Sequence, residues 1–420
     1  MIKTIDLFPG ITLRCFPDNR FKQGCLSIQF VRQMRREEAA MNALLPTVLL
    51  RGTKTAPDMR DIVLRLDDLY GANVGPHVRR IGDYQTTGLF CGFMEDKYAF
   101  GGDSILEPMK TFLGQLLFEP VLENGVFCAE YVESEKVNLI SAIEAQKNNK
   151  RTYALSRMLK IMCKNDSFGI PRAGEAAQVR AITPESLFAH YHRVLRESPI
   201  EVFYVGSQQP ERVAELLRPI FVGLNRDYQP LPGQTACNPG PTGSHTDVMD
   251  VSQGKLCLGY TTEITRKDPR FYAMQVFNCL WGSGMTCKLF MNVRERMSLC
   301  YDISSSYQSL KGLVIASAGI DFDQKANVCA EIANQLEMCC QGNITEDEMN
   351  AAKQMLLTQL EAVHDSPDSI EGYYAPSVLS GGIIPPEDYK QRVTEVTVQQ
   401  VAEAAKTVKL HTTYFLRGEQ

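Results

Sequence analysis

The stretch ITPESLFAHYHRVLRESPIEVFYVG (Ile182–Gly206) sets the pattern of this chain, because VTVQQVAEAAKTVKLHTTYFLRG (Val396–Gly418) repeats it. Each begins at a threonine suited to an N-cap, continues as an amphipathic helix, and ends in an apolar strand that closes in glycine. A pattern that returns in the same order is typical of an internal repeat. The sequence therefore predicts two related copies of one domain.

Two earlier landmarks also occur once in each half of the chain. An apolar strand, CLSIQFV (25–31) or KLCLGYT (255–261), is followed by an apolar helix, EEAAMNALLPTVLLRG (37–52) or DPRFYAMQVFNCLWGSG (268–284). Strands followed by long helical patterns favour an antiparallel sheet with helices packed on one face. We therefore predict an α+β fold of two duplicated domains, which together form a clamshell.

A segment rich in turn-forming residues separates the two halves. It reads NRDYQPLPGQTACNPGPTGS, residues 225–244, with four prolines and three glycines. Such a composition is typical of an extended linker. The prediction is an N-terminal domain over 1–224, a linker over 225–244 and a C-terminal domain over 245–420.

Composition excludes several classes of protein. The 420 residues carry a formal net charge of −5, and no basic block is present, which argues against nucleic acid as a partner. No apolar run reaches the roughly 18 residues that cross a bilayer, so no membrane association is expected. The chain begins MIKTIDLFPGITLRCF, which predicts a β-hairpin turning at Pro9-Gly10 rather than a signal peptide.

The cysteines indicate a reducing compartment. There are 13 of them, an odd number, and no two are spaced as C-x-x-C. Most stand among apolar residues, where a thiol behaves as a small hydrophobic side chain. The simplest interpretation is a cytoplasmic protein without a structural disulfide framework.

The early helix ends in Arg51-Gly52-Thr53. A duplicated α+β domain with this helix end resembles the insulinase, pitrilysin and mitochondrial processing peptidase family, which has the LuxS and processing-peptidase type of fold. These inverzincins carry H-x-x-E-H on the helix, in which two His bind one Zn²⁺ and the Glu activates its water. A further Glu ligand comes from a later helix.

The resemblance implies that this chain lacks the zinc site. Counting back from Arg-Gly-Thr places the two His positions on Ala43 and Thr47 and the catalytic Glu on Pro46. The distal ligand position, counted from Glu133-Ser134-Glu135-Lys136, falls on Ala142. None of these four residues suits zinc chemistry. We therefore expect no catalytic residue, no metal and no cofactor in this chain, and no enzyme activity on its own.

The histidines do not indicate a metal site elsewhere in the chain. Only His190 and His192 stand close together, and two residues apart on a helix they diverge around it. A pair of polar helix positions is the simpler interpretation.

One element of the active family is retained. Active members place an Arg and a Tyr in a pattern like R-E-x-x-x-L-x-Y, and here Arg294 and Tyr301 match it. In the family these residues hold the substrate backbone and stabilise the transition state. The alternative is a solvated helix end followed by a tyrosine that starts a strand.

The helix and the following LYGA (69–72) look most similar to a bacterial branch of non-catalytic members, the YmfF-like proteins. The resemblance implies a heterodimer with a zinc-bearing paralogous subunit, which processes a peptide or protein substrate and is linked to modification of elongation factor P. Zinc is expected only in that partner. A metal-free clamshell that binds peptides or proteins is the alternative, and a structural scaffold is a third. Whether the isolated chain forms a homodimer stays open.

Overall fold

The computed structural model describes residues 2–419, which form two compact units. The first unit holds the chain up to Glu144, Ile170–Gly233 and the short segment His364–Pro376. The second holds Ala145–Gly169, Gln234–Val363 and the chain from residue 377 on. Each unit thus contains one segment from the other half of the sequence. The division into a domain over 1–224, a linker over 225–244 and a domain over 245–420 stays a prediction.

The first unit is built on a six-stranded sheet. Its six strands are β1 (Lys3–Phe8), β2 (Ile11–Pro17), β3 (Gln23–Gln33), β4 (Asn73–Ile81), β5 (Tyr84–Met94) and β8 (Ile200–Gly206). The short β6 (Leu122–Glu123) and β7 (Val126–Phe127) pair with each other in a separate two-stranded sheet. The order is β1-β2-β8-β3-β5-β4, and all neighbours are antiparallel except β2 and β8. The predicted hairpin is confirmed, since Pro9-Gly10 joins β1 to β2.

Helices cover one face of this sheet. The helices up to residue 221, of which α5 belongs to the second unit, are α1 (Arg36–Leu49), α2 (Met59–Asp68), α3 (Leu106–Phe118), α4 (Ala129–Ala145), α5 (Lys150–Met162), α6 (Ala176–Arg180), α7 (Pro184–Glu197) and α8 (Pro210–Phe221). Apolar side chains of α1, α3 and α7, such as Leu44, Leu113 and Leu187, form one buried core with Ile28 of β3. Burial of this apolar stripe is the main stabilising contribution to the unit.

The second unit repeats this plan. Its strands are β9 (Gly243–Val248), β10 (Gly254–Thr261), β11 (Asp302–Gln308), β12 (Leu313–Ile320) and β13 (Lys409–Arg417). The order β9-β13-β10-β12-β11 has the same topology as β2-β8-β3-β5-β4, and here only β13 and β9 are parallel. The predicted duplicated α+β fold is therefore confirmed.

The remaining helices belong to the second half of the chain. They are α9 (Phe271–Gly282), α10 (Lys325–Cys340), α11 (Glu346–Glu361), α12 (Pro367–Leu379), α13 (Pro386–Glu395) and α14 (Val398–Ala405), with a π-helical turn at Phe290–Arg296. Apolar side chains of α9, α10, α11, α13 and α14 form a second core with β10 and β12, whereas most of α12 belongs to the first unit. No helix in residues 2–419 is both long and apolar enough to cross a membrane.

The two threonine caps that mark the repeat are present. Thr183 Oγ1 accepts a hydrogen bond from the backbone N–H of Ser186, and Thr397 Oγ1 accepts one from Gln400, at 3.2 and 3.3 Å. Each satisfies a backbone donor that a helix start leaves without an intrahelical partner. The strand after each capped helix, β8 or β13, then enters the middle of its sheet.

The opposite face of each sheet is covered by a segment from the other half of the sequence, here called the exchanged segment. It is His364–Pro376 in the first unit and Ala145–Gly169 in the second. In the second unit, Met158 and Met162 of α5 lie in one buried cluster with Cys257 of β10. Gly259 faces the same way, and a Cβ there would come 2.5 Å from the Met162 sulfur. The glycine therefore lets α5 approach the sheet closely. In addition to the predicted helix layer, each sheet thus has a second, smaller layer from the other half of the chain.

Candidate functional site

Active members of the family that this chain resembles have their zinc ligands and their catalytic base at four positions. Helix α1 carries three of these positions. Ala43 and Pro46 are buried and Thr47 is half-buried. The Thr47 hydroxyl donates to the carbonyl of Leu44 at 2.8 Å, so it is bound to its own helix. The three positions are thus packed as ordinary helix interior.

The proline inside α1 is compensated by the neighbouring sheet. Pro46 has no N–H, so the carbonyl four residues earlier, that of Asn42, lacks its helical donor. The hydroxyl of Thr87 on β5 donates to this carbonyl at 2.7 Å. A buried carbonyl without a partner would be costly, and Thr87 removes that cost.

Thr87→Val is expected to lower the free energy of unfolding by about 1–3 kcal/mol, because the Asn42 carbonyl loses its donor. In a Pro46→Ala background the same change should cost less, since an alanine N–H reaches that carbonyl within the helix. Urea unfolding of the wild type, both single variants and the double variant measures this coupling. An equal cost of Thr87→Val in both backgrounds would contradict the compensation.

A buried polar network adjoins these positions. The Asn42 side-chain amide donates to Gln85 at 2.8 Å, and His190 Nε2 lies 2.7 Å from Asn42 Oδ1. Burial lowers the pKa of His190 to about 3, with further lowering by the Arg193 and Arg32 charges. The imidazole is therefore neutral at pH 7, so Nε2 donates to Asn42 and Nδ1 accepts from Arg193 at 3.0 Å. Both His190 nitrogens are engaged in holding the structure together.

The Arg-Gly-Thr end of α1 has a structural role of its own. Arg51 forms an ion pair with Glu135 of α4 at 3.3 Å. A Cβ on Gly52 would come 2.3 Å from the carbonyl oxygen of Pro57, so only glycine fits there without a shift. These contacts explain how this helix end can be kept while the metal-binding residues are absent.

The fourth metal position also lacks a donor. Ala142 is exposed on α4, and nearby Glu144 pairs with Arg180 at 2.5 Å. The donor set at Ala43, Thr47 and Ala142 does not fit a zinc ion, because two of these residues have no donor atom. Among residues 2–419 no group of three or more His, Cys, Asp or Glu side chains is arranged to hold a metal ion.

Arg294 lies in the π-helical turn of the second unit. Its guanidinium carbon is 4.6 Å from the centre of the Phe290 ring, and Nη1 is 3.3 Å from Glu295. The side chain is 40% exposed. Local π-helical turns are frequent at functional sites. The guanidinium can therefore reach a ligand from solvent.

Tyr301 immediately precedes β11 and is 56% exposed. Its hydroxyl donates to Asp321 Oδ1 at 2.9 Å, and this bond raises the pKa of the Tyr301 phenol. Its backbone N–H donates to the carbonyl of Gly319 at 2.8 Å. The phenol is thus held as a protonated donor on an anchored backbone.

Methionines flank this element, and sequence reasoning missed them. Met285, Met291 and Met297 are 74%, 48% and 47% exposed. Flexible thioether side chains suit surfaces that adapt to varied apolar partners. The sequence signal that could have indicated this surface is the presence of three methionines within thirteen residues, beside the arginines.

Comparison with known proteins shows which family this chain resembles. The family model described as the peptidase M16 inactive domain matches residues 181–356. A Bacillus subtilis (strain 168) relative described as probable inactive metalloprotease YmfF is 30% identical over 411 residues. The match covers 98% of this chain and 96% of that relative.

Two solved structures share the fold. A conserved protein from Enterococcus faecalis V583 has a TM-score of 0.91 and 27% identity, covering 100% of this chain and 99% of that one. A peptidase M16 inactive domain from Pseudomonas fluorescens has a TM-score of 0.81 and 18% identity, covering 100% and 98%.

The fold and the site together define a metallopeptidase-like protein whose metal-binding positions carry no suitable ligands. With these relatives, the chain belongs to the peptidase M16 family and is a homologue of its inactive members. The predicted membership of the insulinase, pitrilysin and processing-peptidase family is confirmed. The roles assigned to Arg294 and Tyr301 stay predictions.

Proposed function

We propose that this chain is the non-catalytic subunit of a two-chain peptidase. A paralogous subunit supplies H-x-x-E-H, its Glu ligand and the zinc, and this chain supplies Arg294 and Tyr301. The observation that carries the proposal is an asymmetry between the two units. Ala43 and Pro46 are packed as helix interior, whereas Arg294 and Tyr301 keep exposed polar groups.

The chemistry of the two side chains supports this division of labour. A guanidinium offers several N–H donors and a permanent positive charge to a carbonyl oxygen that becomes negative in the transition state. The Tyr301 phenol adds a neutral donor, and its bond to Asp321 keeps it protonated at neutral pH. Neither group can activate water, so catalysis requires the partner's zinc.

The proposed substrate is a peptide or protein held in extended form. The exposed Met285, Met291 and Met297 would give its side chains an adaptable apolar surface. We place this processing in the cytoplasm and link it to modification of elongation factor P. The odd number and scattered spacing of the 13 cysteines support this placement.

The test is reconstitution with the full-length chain. A paralogue with intact H-x-x-E-H is purified alone and mixed with this chain, and the complex is isolated by size-exclusion chromatography. Cleavage of a quenched fluorescent peptide library is expected to rise about 10- to 100-fold on mixing. A zinc chelator should abolish the gain.

Two outcomes would overturn the proposal. One is a paralogue that is equally active alone and forms no complex. The other is binding of the peptide library by this chain in the absence of partner and zinc, with no gain in cleavage on mixing. That second result would instead establish the metal-free binding protein.

A further inference from the structure

The part of the linker just before β9 is fixed to the second unit although it has no helix or strand. Asn238 N donates to the Asp166 carboxylate at 2.9 Å, just after the end of α5. Gly240 N donates to the carbonyl of Met162, the last residue of α5, at 2.7 Å. The linker thus lies directly against the C-terminal end of this helix.

Two cysteines meet where the linker lies on α5. Cys237 Sγ is 3.6 Å from Cys163 Sγ. Cys163 follows the last residue of α5 and is buried, whereas Cys237 is half-buried and its N–H donates to the carbonyl of Lys311 at 2.9 Å. A disulfide holds its sulfurs about 2.0 Å apart. The irregular backbone of the linker can supply the remaining approach.

We infer that Cys163 and Cys237 are an oxidation site, at which hydrogen peroxide converts two thiols into a disulfide. The inference rests on the sulfur–sulfur contact and on the linker, and does not depend on the proposed function. Its consequence is a covalent bond between the linker and the end of α5, in addition to the hydrogen bonds and apolar packing that hold them.

The reaction proceeds in two steps. Peroxide oxidises Cys237, the more accessible sulfur: the O–O bond breaks, one oxygen becomes a sulfenic acid, and the other leaves as water. The Cys163 sulfur then attacks the Cys237 sulfur and displaces the hydroxyl as a second water. Two electrons pass from the thiols to the peroxide, and the two thiol hydrogens leave in the two waters.

The experiment treats the folded full-length chain with stoichiometric peroxide, then unfolds it in urea with iodoacetamide so that every remaining thiol is blocked. Peptides are mapped without reduction. The alkylatable thiols per chain should fall from thirteen to eleven. A cross-linked pair of peptides containing Cys163 and Cys237 should appear, and a thiol reductant should remove it. Limited proteolysis of the linker should slow in the oxidised protein and recover on reduction.

Matched variants separate this site from the other cysteines. Cys237→Ser is expected to abolish the cross-link, and Cys329→Ser, another half-buried cysteine, should leave it intact. The inference is overturned if Cys237 reaches sulfinic acid without a cross-link. It is also overturned if the disulfide joins two chains, or if wild type and Cys237→Ser lose the same number of thiols.

Discussion

Replacing Arg294 by alanine is expected to reduce peptide cleavage by the two-chain assembly about 100-fold, mainly in kcat, if the proposed function holds. The reason is that the guanidinium stabilises charge that develops only in the transition state. Within residues 2–419, Arg294 contacts the Phe290 ring and pairs with the half-exposed carboxylate of Glu295. Its loss should therefore affect chemistry far more than folding.

Steady-state kinetics on the purified assembly measure this effect, and the chain offers a matched control. Arg296 is an exposed arginine of the same turn, and Arg296→Ala removes the same charge. It should change kcat by less than about twofold, because an exposed charge that makes no direct contact with the reacting carbonyl contributes little in water. An equal loss in both variants would indicate a general charge effect. A rise in KM alone would restrict Arg294 to binding.

The second large effect concerns stability. Arg79→Ala is expected to lower the free energy of unfolding by about 3 kcal/mol, because it leaves a buried carboxylate without its counter-charge. Glu371 belongs to the exchanged segment, and its side chain is fully buried at 2.8 Å from Arg79. It also accepts hydrogen bonds from Ser27 and Gln29 of β3, at 3.0 and 2.7 Å.

Urea unfolding measures this loss of stability, and a variant of an exposed ion pair serves as the comparison. Lys3 and Glu211 lie 3.2 Å apart but are 61% and 66% exposed, so Lys3→Ala should cost under about 1 kcal/mol. Adding Glu371→Gln to Arg79→Ala should recover part of the lost stability, since an amide needs no counter-charge. If Arg79→Ala costs no more than Lys3→Ala, the buried pair does not stabilise the first unit.

Short-range sequence patterns were enough to predict much of the fold. The turn at Pro9-Gly10 and the caps at Thr183 and Thr397 each depend on residues within a few positions. Because both caps precede an apolar strand, the repeat and its sheet followed from short-range patterns. The π-helical turn at Phe290–Arg296 leaves no such pattern and appears only in the structure.

Contacts between residues distant in sequence could not be predicted from one chain. Nothing near Pro46 indicates that Thr87 supplies the hydrogen bond to Asn42. The burial of Glu371 was equally hidden, since a charged residue in a helical pattern is ordinarily solvated. For the site, the resemblance gave the positions of the absent ligands, whereas the buried network around His190 needed coordinates.

The exchanged segments also bear on how the protein is made. Ser27 is synthesised 344 residues before Glu371, the carboxylate that it contacts in the finished protein. Until Glu371 has been synthesised, the polar side chains of Ser27 and Gln29 therefore depend on water for their hydrogen bonds. The first unit can be completed only after nearly the whole chain has emerged, so its assembly is tied to the end of translation.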